Sequence, residues 1–234
     1  MNPCSKSSEY LRIIKDSAQK EDDLHVIEKE LANLSVNDVS ELNDDQKKCF
    51  WCNLYNGLVR KEMKYNNNYP TSTIEKINFF YRTKLTVAGN KYSLQKIEHS
   101  ILRKGKPSFG FGYLSLPQLS ATKRKFQPEE FDNRIHFMLN CGAKSCPRVK
   151  LLSENNYDAE ANSLTNAYIN REVDVRENSI LVPRIFLWYL GDFNGRDGVR
   201  NFIRPYLDED VQGKKVKFDS YDWRRTENFF QSRV

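Results

Sequence analysis

The chain has 234 residues, a net charge of +6 from 37 Lys and Arg against 31 Asp and Glu, and 39% hydrophobic residues with an aromatic share of 12%. That aromatic content excludes a disordered chain, and 10 glycines and 8 prolines are too few for a collagenous or linker-rich one. The basic excess is scattered, its densest run Lys123-Arg124-Lys125 is followed by the single aromatic Phe126, and no stretch approaches the roughly 20 apolar residues that span a bilayer, so neither nucleic acid nor membrane is expected as a partner.

The N-terminus has no apolar core of the signal-peptide type, so the chain is expected to be soluble and cytoplasmic unless a leader was trimmed, with its 5 cysteines as free thiols. Residues 8–33 read as one or two helices on the spacing of Leu11, Ile14, Leu24, Ile27 and Leu31, and His25 reads as surface. Residues 1–40 form a helical arm without chemical signal, ahead of a single domain over 41–234. A second helix is predicted from Asn43 or Asp44, both good caps, to about Tyr65, where Asn66 to Pro70 breaks it. Lys84 to Ala88 reads as a strand, Gly89-Asn90 as a turn, and Ser93 as the cap of a short helix to about Arg103. Lys104 to Phe126, with Gly105, Pro107, Gly110, Gly112 and Pro117, reads as a long irregular segment, a feature more often functional than idle. Residues 134–140 read as the clearest strand and 141–147 as a loop. Then come a helix over 154–172 opened by Ser153, a strand over 179–182, a helix over 195–207 and an edge strand at Val216-Lys217-Phe218.

Three features do not fit a plain apolar core. On the helix around Trp51, Cys49, Asn53, Asn56 and Gly57 form a stripe that is polar but nearly uncharged, whereas a solvated helix face carries Lys and Glu. Such amides are expected to brace the backbone of a neighbouring loop. Glu98 lies within the apolar face of Leu94, Ile97, Ile101 and Leu102, where a carboxylate requires a partner, and His99 borders that face. It reads either as an internal salt bridge or as a carboxylate–imidazole pair beside a site. In the predicted strand, Ile135, Phe137 and Leu139 face the core and His136, Met138 and Asn140 face the other way, before a loop with Cys141, Lys144, Ser145 and Cys146.

A cysteine nucleophile needs a base within hydrogen-bond reach, oriented by a third group. An extended strand would hold His136 and Cys141 about 16 Å apart, so His136 reaches Cys146 only if the loop folds back, while His99 has no such restriction. Lys144 could lower a neighbouring thiol's pKa, and Ser145 could donate a hydrogen bond. Cys141 and Cys146 could also be inert or close a small disulfide in an oxidising compartment. Zinc is disfavoured because Cys49 and Cys52 lie within a helix and the Cys141–Cys146 spacing is too wide, and a thioredoxin-like use fails because no strand precedes Cys49. In the aromatic run from Pro183 to Phe193, Arg184 and Asp192 are the polar exceptions; Asp192 could orient a histidine or cap the helix that follows.

Four blocks, Phe50 to Asn56, Tyr92 to Arg103, Arg134 to Pro147 and Ile185 to Phe193, resemble in order the motifs of the "domain of unknown function 547" family over roughly residues 40–210, and Tyr221-Asp222-Trp223 resembles its ending. The resemblance implies a fold and a set of positions, not an established reaction. By analogy of fold it suggests a distant relation to papain- and transglutaminase-like cysteine enzymes, with Cys49 and Cys52 incidental and the cysteines matching Cys141 and Cys146 the family's own. The expected fold is α+β: a small, mostly antiparallel sheet packed by helices. The leading expectation is a thiol-dependent hydrolase or acyl transferase acting on an amide or thioester. Cys146, or Cys141 as second choice, would be the nucleophile, His99 or His136 the base, and Glu98 or Asp192 its orienting group. Asn53, Asn56 and Asn140, with Ser145 and Arg184, would bind substrate or brace the loop. The competing expectation is a noncatalytic module that binds a peptide or small molecule with the same polar cluster. Neither a cofactor nor a metal is expected, and the oligomeric state is left open.

Overall fold

The computed structural model describes residues 2–16, 21–67, 69–115 and 121–230. Residues 17–20 of the first helical stretch, Asn68 of the predicted break and Pro117 of the long segment lie outside the described residues, as does the side chain of Lys123.

The architecture is α+β, built around one long helix. Helices α1 (Pro3–Lys15), α2 (Glu21–Ala32) and α3 (Val36–Ser40) precede α4 (Asp44–Lys64). Asn43 caps α4 reciprocally: its side chain accepts from the Gln46 N–H at 2.9 Å, and the Gln46 side chain accepts from the Asn43 N–H at 3.0 Å. Every residue from Lys47 to Val59 is buried, the amide stripe included.

Helix α1 packs along α4, and Gly57 faces Tyr10 and Ile14 of α1. A Cβ at Gly57 would lie 2.5 Å from the ring of Tyr10, which is itself fully buried. Helix propensity favours Ala over Gly by about 1 kcal/mol, but overpacking a buried ring costs about 1–3 kcal/mol. Gly57→Ala is therefore expected to lower the thermal midpoint; a midpoint above wild type in a melting curve would show that the Tyr10 contact is loose.

Helix α5 (Thr73–Arg82) leads into the hairpin of β1 (Lys84–Val87) and β2 (Asn90–Ser93), paired antiparallel with Leu85 opposite Tyr92. Ser93 then accepts from the Lys96 N–H and opens a helix over Lys96–Leu102. This helix is of the wide π type, and the Arg103 N–H reaches the Glu98 carbonyl five residues back at 2.8 Å. Such turns recur at functional sites. The chain continues through α6 (Ala121–Phe126), α7 (Tyr157–Glu172), β3 (Asp174–Val175), β4 (Ser179–Val182), α8 (Ile185–Trp188), α9 (Gly195–Ile203) and β5 (Lys215–Phe218). Strand β4 pairs antiparallel with β3 and parallel with β5, which is an edge strand as its alternation indicates. The strands thus form a hairpin and a separate mixed sheet rather than one sheet.

Four sequence expectations are corrected. Lys104 to Phe126 is not irregular throughout, since its end, Ala121–Phe126, is α6. Residues 134–140 are not a strand: Asn133–Phe137 form a 3₁₀ turn capped by Asp132, followed by irregular chain. Ile135 through Asn140 are all buried, so the alternation does not separate a wet face from a dry one. Asn56 takes the place of a neighbouring strand, donating to the Met138 carbonyl at 2.7 Å and accepting from the Asn140 N–H at 3.0 Å. Ser153 does not open α7, which begins at Tyr157; its N–H donates instead to the Glu160 carboxylate. The last predicted helix ends at Ile203 and tightens to a 3₁₀ turn at Arg204–Tyr206, because Pro205 has no N–H to continue it.

The buried apolar side chains fall into two clusters. One surrounds α4 and includes Trp51, Ile97, Ile135 and Leu139; the other joins the mixed sheet to Phe137, Phe186 and Phe193. His136 sits at the seam between them.

Candidate functional site

Two histidine–carboxylate pairs meet at this seam. The π helix places Glu98 and His99 on adjacent positions and Arg103 one turn on. Glu98 accepts from the Tyr55 hydroxyl at 3.0 Å and the Tyr189 hydroxyl at 2.6 Å, one on each oxygen. Burial opposes its charge, but His99, the Tyr189 hydroxyl, the Arg103 cation and His136 together hold the carboxyl below its ordinary range. His99 Nδ1 lies 2.6 Å from Arg103 Nη1. A guanidinium can only donate, so Nδ1 accepts and Nε2 carries the proton, 3.7 Å from Glu98. Burial keeps this imidazole neutral and pushes its pKa down to about 4.

Asp192 anchors the second pair. Its Oδ2 receives His136 Nε2 and Arg103 Nε, each at 2.8 Å, and its Oδ1 receives Lys106 Nζ at 2.8 Å. The carboxylate can only accept, so His136 donates from Nε2 and its Nδ1 is the basic nitrogen. Tyr189 stacks on the His136 ring at 3.9 Å. Asp192 therefore holds a histidine; the cap position of α9 is taken by Asn194.

The thiols occupy a tightly tied loop. Asn140 closes its two ends, donating to the Pro147 carbonyl at 2.6 Å and accepting from the Gly142 N–H at 2.7 Å. Gly142 has φ of 92°, where a side chain would also strike Met63 and Tyr69. The C-terminal stretch holds the outer edge: Ser145 Oγ accepts from the Asp222 N–H, and the Lys144 N–H donates to the Arg224 carbonyl. Inside the loop three groups converge on Cys146 Sγ: the Cys141 N–H donates to it at 3.1 Å, and the Cys141 thiol at 2.8 Å and the Tyr221 hydroxyl at 3.0 Å both donate to it once it is a thiolate, which has no proton to give. Burial disfavours a thiolate there, but the Cys141 thiol and Tyr221 hydroxyl outweigh it and hold Cys146 below the ordinary thiol range. The same Cys146 contact, with burial, pushes Cys141 up. Burial also raises Cys4, Cys49 and Cys52.

Glu98, His99, His136 and both thiols line one cavity of about 350 Å³, with Asp192 behind His136 and outside the lining. Ile77, Phe80, Ile185, Trp188 and Trp223 supply apolar wall, and Lys76 lies over the Trp223 ring at 4.3 Å. The thiols bond to each other, to the Cys141 N–H and to Tyr221, and the imidazoles to Arg103 and Asp192; among the described residues no imidazole is hydrogen-bonded to a thiol, contrary to the expected base–nucleophile contact. Asn53 is spent on Leu152, whose carbonyl and N–H it satisfies at 3.0 Å each. Arg184 is exposed before α8, and Lys144 is exposed on the loop. Cys49 and Cys52 are buried within α4, and neither lines the cavity. Among the described residues, no group of three or more His, Cys, Asp or Glu is arranged to hold a metal ion, and no helix is long and apolar enough to cross a membrane.

The family described as "Protein of unknown function, DUF547" matches residues 39–169. The chain belongs to this family. No curated protein and no solved structure matches it.

The DUF547 match takes in Glu98, His99, His136 and the thiol loop, but Asp192, Tyr189 and Tyr221 lie beyond it. Sequence reasoning did not assign Arg103, Lys106, Tyr55, Tyr189 or Tyr221 to the site. Arg103 carried a signal: it lies four residues after His99 on a helix whose apolar face already held a carboxylate. Tyr221 carried only its place in the Tyr221-Asp222-Trp223 ending, which does not name a partner 75 residues away.

Proposed function

We propose that this DUF547 protein is a thiol-dependent hydrolase or acyl transferase acting on an amide or thioester, with Cys146 as the nucleophile. The observation that carries this reading is the convergence of three groups able to donate, the Cys141 N–H, the Cys141 thiol and the Tyr221 hydroxyl, on Cys146 Sγ at the wall of a cavity. Hydrogen bonds to the charged form are the means by which a buried thiol becomes a nucleophile. Cys146 Sγ bonds to the carbonyl carbon, the C–N or C–S bond breaks, and the acyl group stays on sulfur until water or an acceptor removes it. His136, its ring fixed by Asp192 and the Tyr189 stack, makes no hydrogen bond to Cys146 but lines the same cavity, and in this reading it is the acid–base that a bound substrate meets. Glu98 and Arg103 place His99 on the same wall as a second proton carrier.

One observation favours the noncatalytic alternative: Asn53, Asn56 and Asn140 all bond to backbone, the bracing that a rigid recognition loop requires. Labelling separates the two. Iodoacetamide applied to the native protein across pH is expected to alkylate Cys146 first, well below pH 8, while Cys4, Cys49 and Cys52 stay unmodified. A hydrogen bond to a charged group contributes about 1.5–3 kcal/mol, and 1.4 kcal/mol is tenfold, so Tyr221→Phe should slow that labelling at least about tenfold at neutral pH. Slow, uniform labelling of all cysteines, unchanged in Tyr221→Phe, would leave the binding-module reading in its place.

A further inference from the structure

Acyl transfer uses one sulfur, yet the loop holds two in direct contact. Cys141 Sγ and Cys146 Sγ are 2.8 Å apart, and both cysteines are free. The loop keeps them together without a covalent link. The Cys146 N–H donates to the Ala143 carbonyl at 3.1 Å, and Asn140 clamps the chain on both sides of the pair. A disulfide would require the sulfurs to close to about 2.05 Å, a movement under 1 Å from the observed contact. The two positions differ in access: Cys146 is 5% exposed and Cys141 is partly open.

We propose that Cys146 and Cys141 form a reversible redox pair, in which a hydroperoxide oxidises Cys146 and Cys141 resolves the product as an intramolecular disulfide. In the first step the Cys146 thiolate attacks the outer peroxide oxygen. An S–O bond forms and the O–O bond breaks, Cys146 becomes a sulfenic acid, and the peroxide is reduced to an alcohol, or to water when it is hydrogen peroxide. In the second step Cys141 Sγ attacks the Cys146 sulfur, the S–S bond forms, and the hydroxyl leaves with the Cys141 proton as water. The sum is two thiols and one hydroperoxide giving one disulfide, one alcohol and one water. A thiol reductant reverses it by exchange. The device shields Cys146 from irreversible oxidation to the sulfinic acid, which an unresolved sulfenic acid invites.

The experiment needs no substrate. The native protein is treated with one equivalent of hydrogen peroxide, quenched, unfolded and alkylated, and its thiols are counted by mass. The expected result is that three of the five cysteines remain alkylatable. Trypsin, which cuts after Arg134, Lys144 and Arg148, should release peptide 135–144 cross-linked to peptide 145–148 until reductant is added. In Cys141→Ser the disulfide is lost and Cys146 should instead be trapped by dimedone as its sulfenic acid. Five alkylatable thiols after peroxide, a cross-link involving Cys4, Cys49 or Cys52, or a sulfinic acid on Cys146 of the wild type would overturn the proposal. The wild-type count does not depend on how the variant folds. Rapid labelling of Cys146 without the cross-link would defeat the redox pair and leave the acyl-transfer reading standing, and the converse holds.

Discussion

Asp192→Ala is expected to be the most damaging single substitution in the site, lowering stability by about 3–5 kcal/mol. The Asp192 side chain is fully buried and receives Arg103, Lys106 and His136 together. Removing it leaves the Arg103 guanidinium, also fully buried, without its hydrogen-bonded counter-charge, and Arg103 Nη2 has no hydrogen-bond partner among the described residues. For a chain of this length that loss is roughly a 6–20 °C fall in thermal midpoint. Lys106→Met is the control: its side chain is 25% exposed, and an ion pair of that kind contributes at most about 1 kcal/mol. Burial opposes the Asp192 charge, but hydrogen bonds from His136 and Arg103 hold its carboxyl far below the usual range. Its contribution is therefore present above about pH 4 and lost as pH falls below that. If Asp192→Ala melts within about 2 °C of wild type, the guanidinium is not held as described.

The second large effect is an acid lability that begins well above the carboxylate range. Burial pushes His99 down to about 4, whereas in the unfolded chain a histidine titrates near about 6.5. Between those values the unfolded state binds a proton that the folded state refuses, so stability falls as pH falls. The loss amounts to about 2 kcal/mol by pH 5 and about 3 kcal/mol by pH 4. His136, also pushed down by burial, adds to the slope in the same direction. Carboxylates with depressed pKa values contribute only below about pH 4, so the window from 6.5 to 5 reports the histidines. His99→Gln keeps an acceptor for Arg103 and should flatten the midpoint against pH over that window. An equal midpoint at pH 7 and pH 5 in the wild type would mean that the buried imidazoles are already charged.

Local signals were legible where local forces decide. Asn43 and Gln46 mark the start of α4, and a cap is written within four residues of sequence. Glu98 was visible as a carboxylate in an apolar face, because no isolated charge is left there without partners. The amide stripe of Asn53 and Asn56 correctly implied loop backbone nearby. The segment 134–140 misled for a physical reason. Alternation implies a strand only if one face is wet, and here both faces are buried and a side-chain amide replaces the missing neighbour.

By itself the sequence determined the family, the α+β class, the long central helix and the residue types of the site: two thiols, two imidazoles and two carboxylates in places where apolar residues are the default. Only the tertiary structure decided the pairing, Asp192 with His136 and Tyr221 with Cys146 rather than an imidazole with a thiol. These partners stand 56 and 75 residues apart, and which of them meet is set by how the two apolar clusters close over the seam, a long-range packing choice that no local spacing encodes.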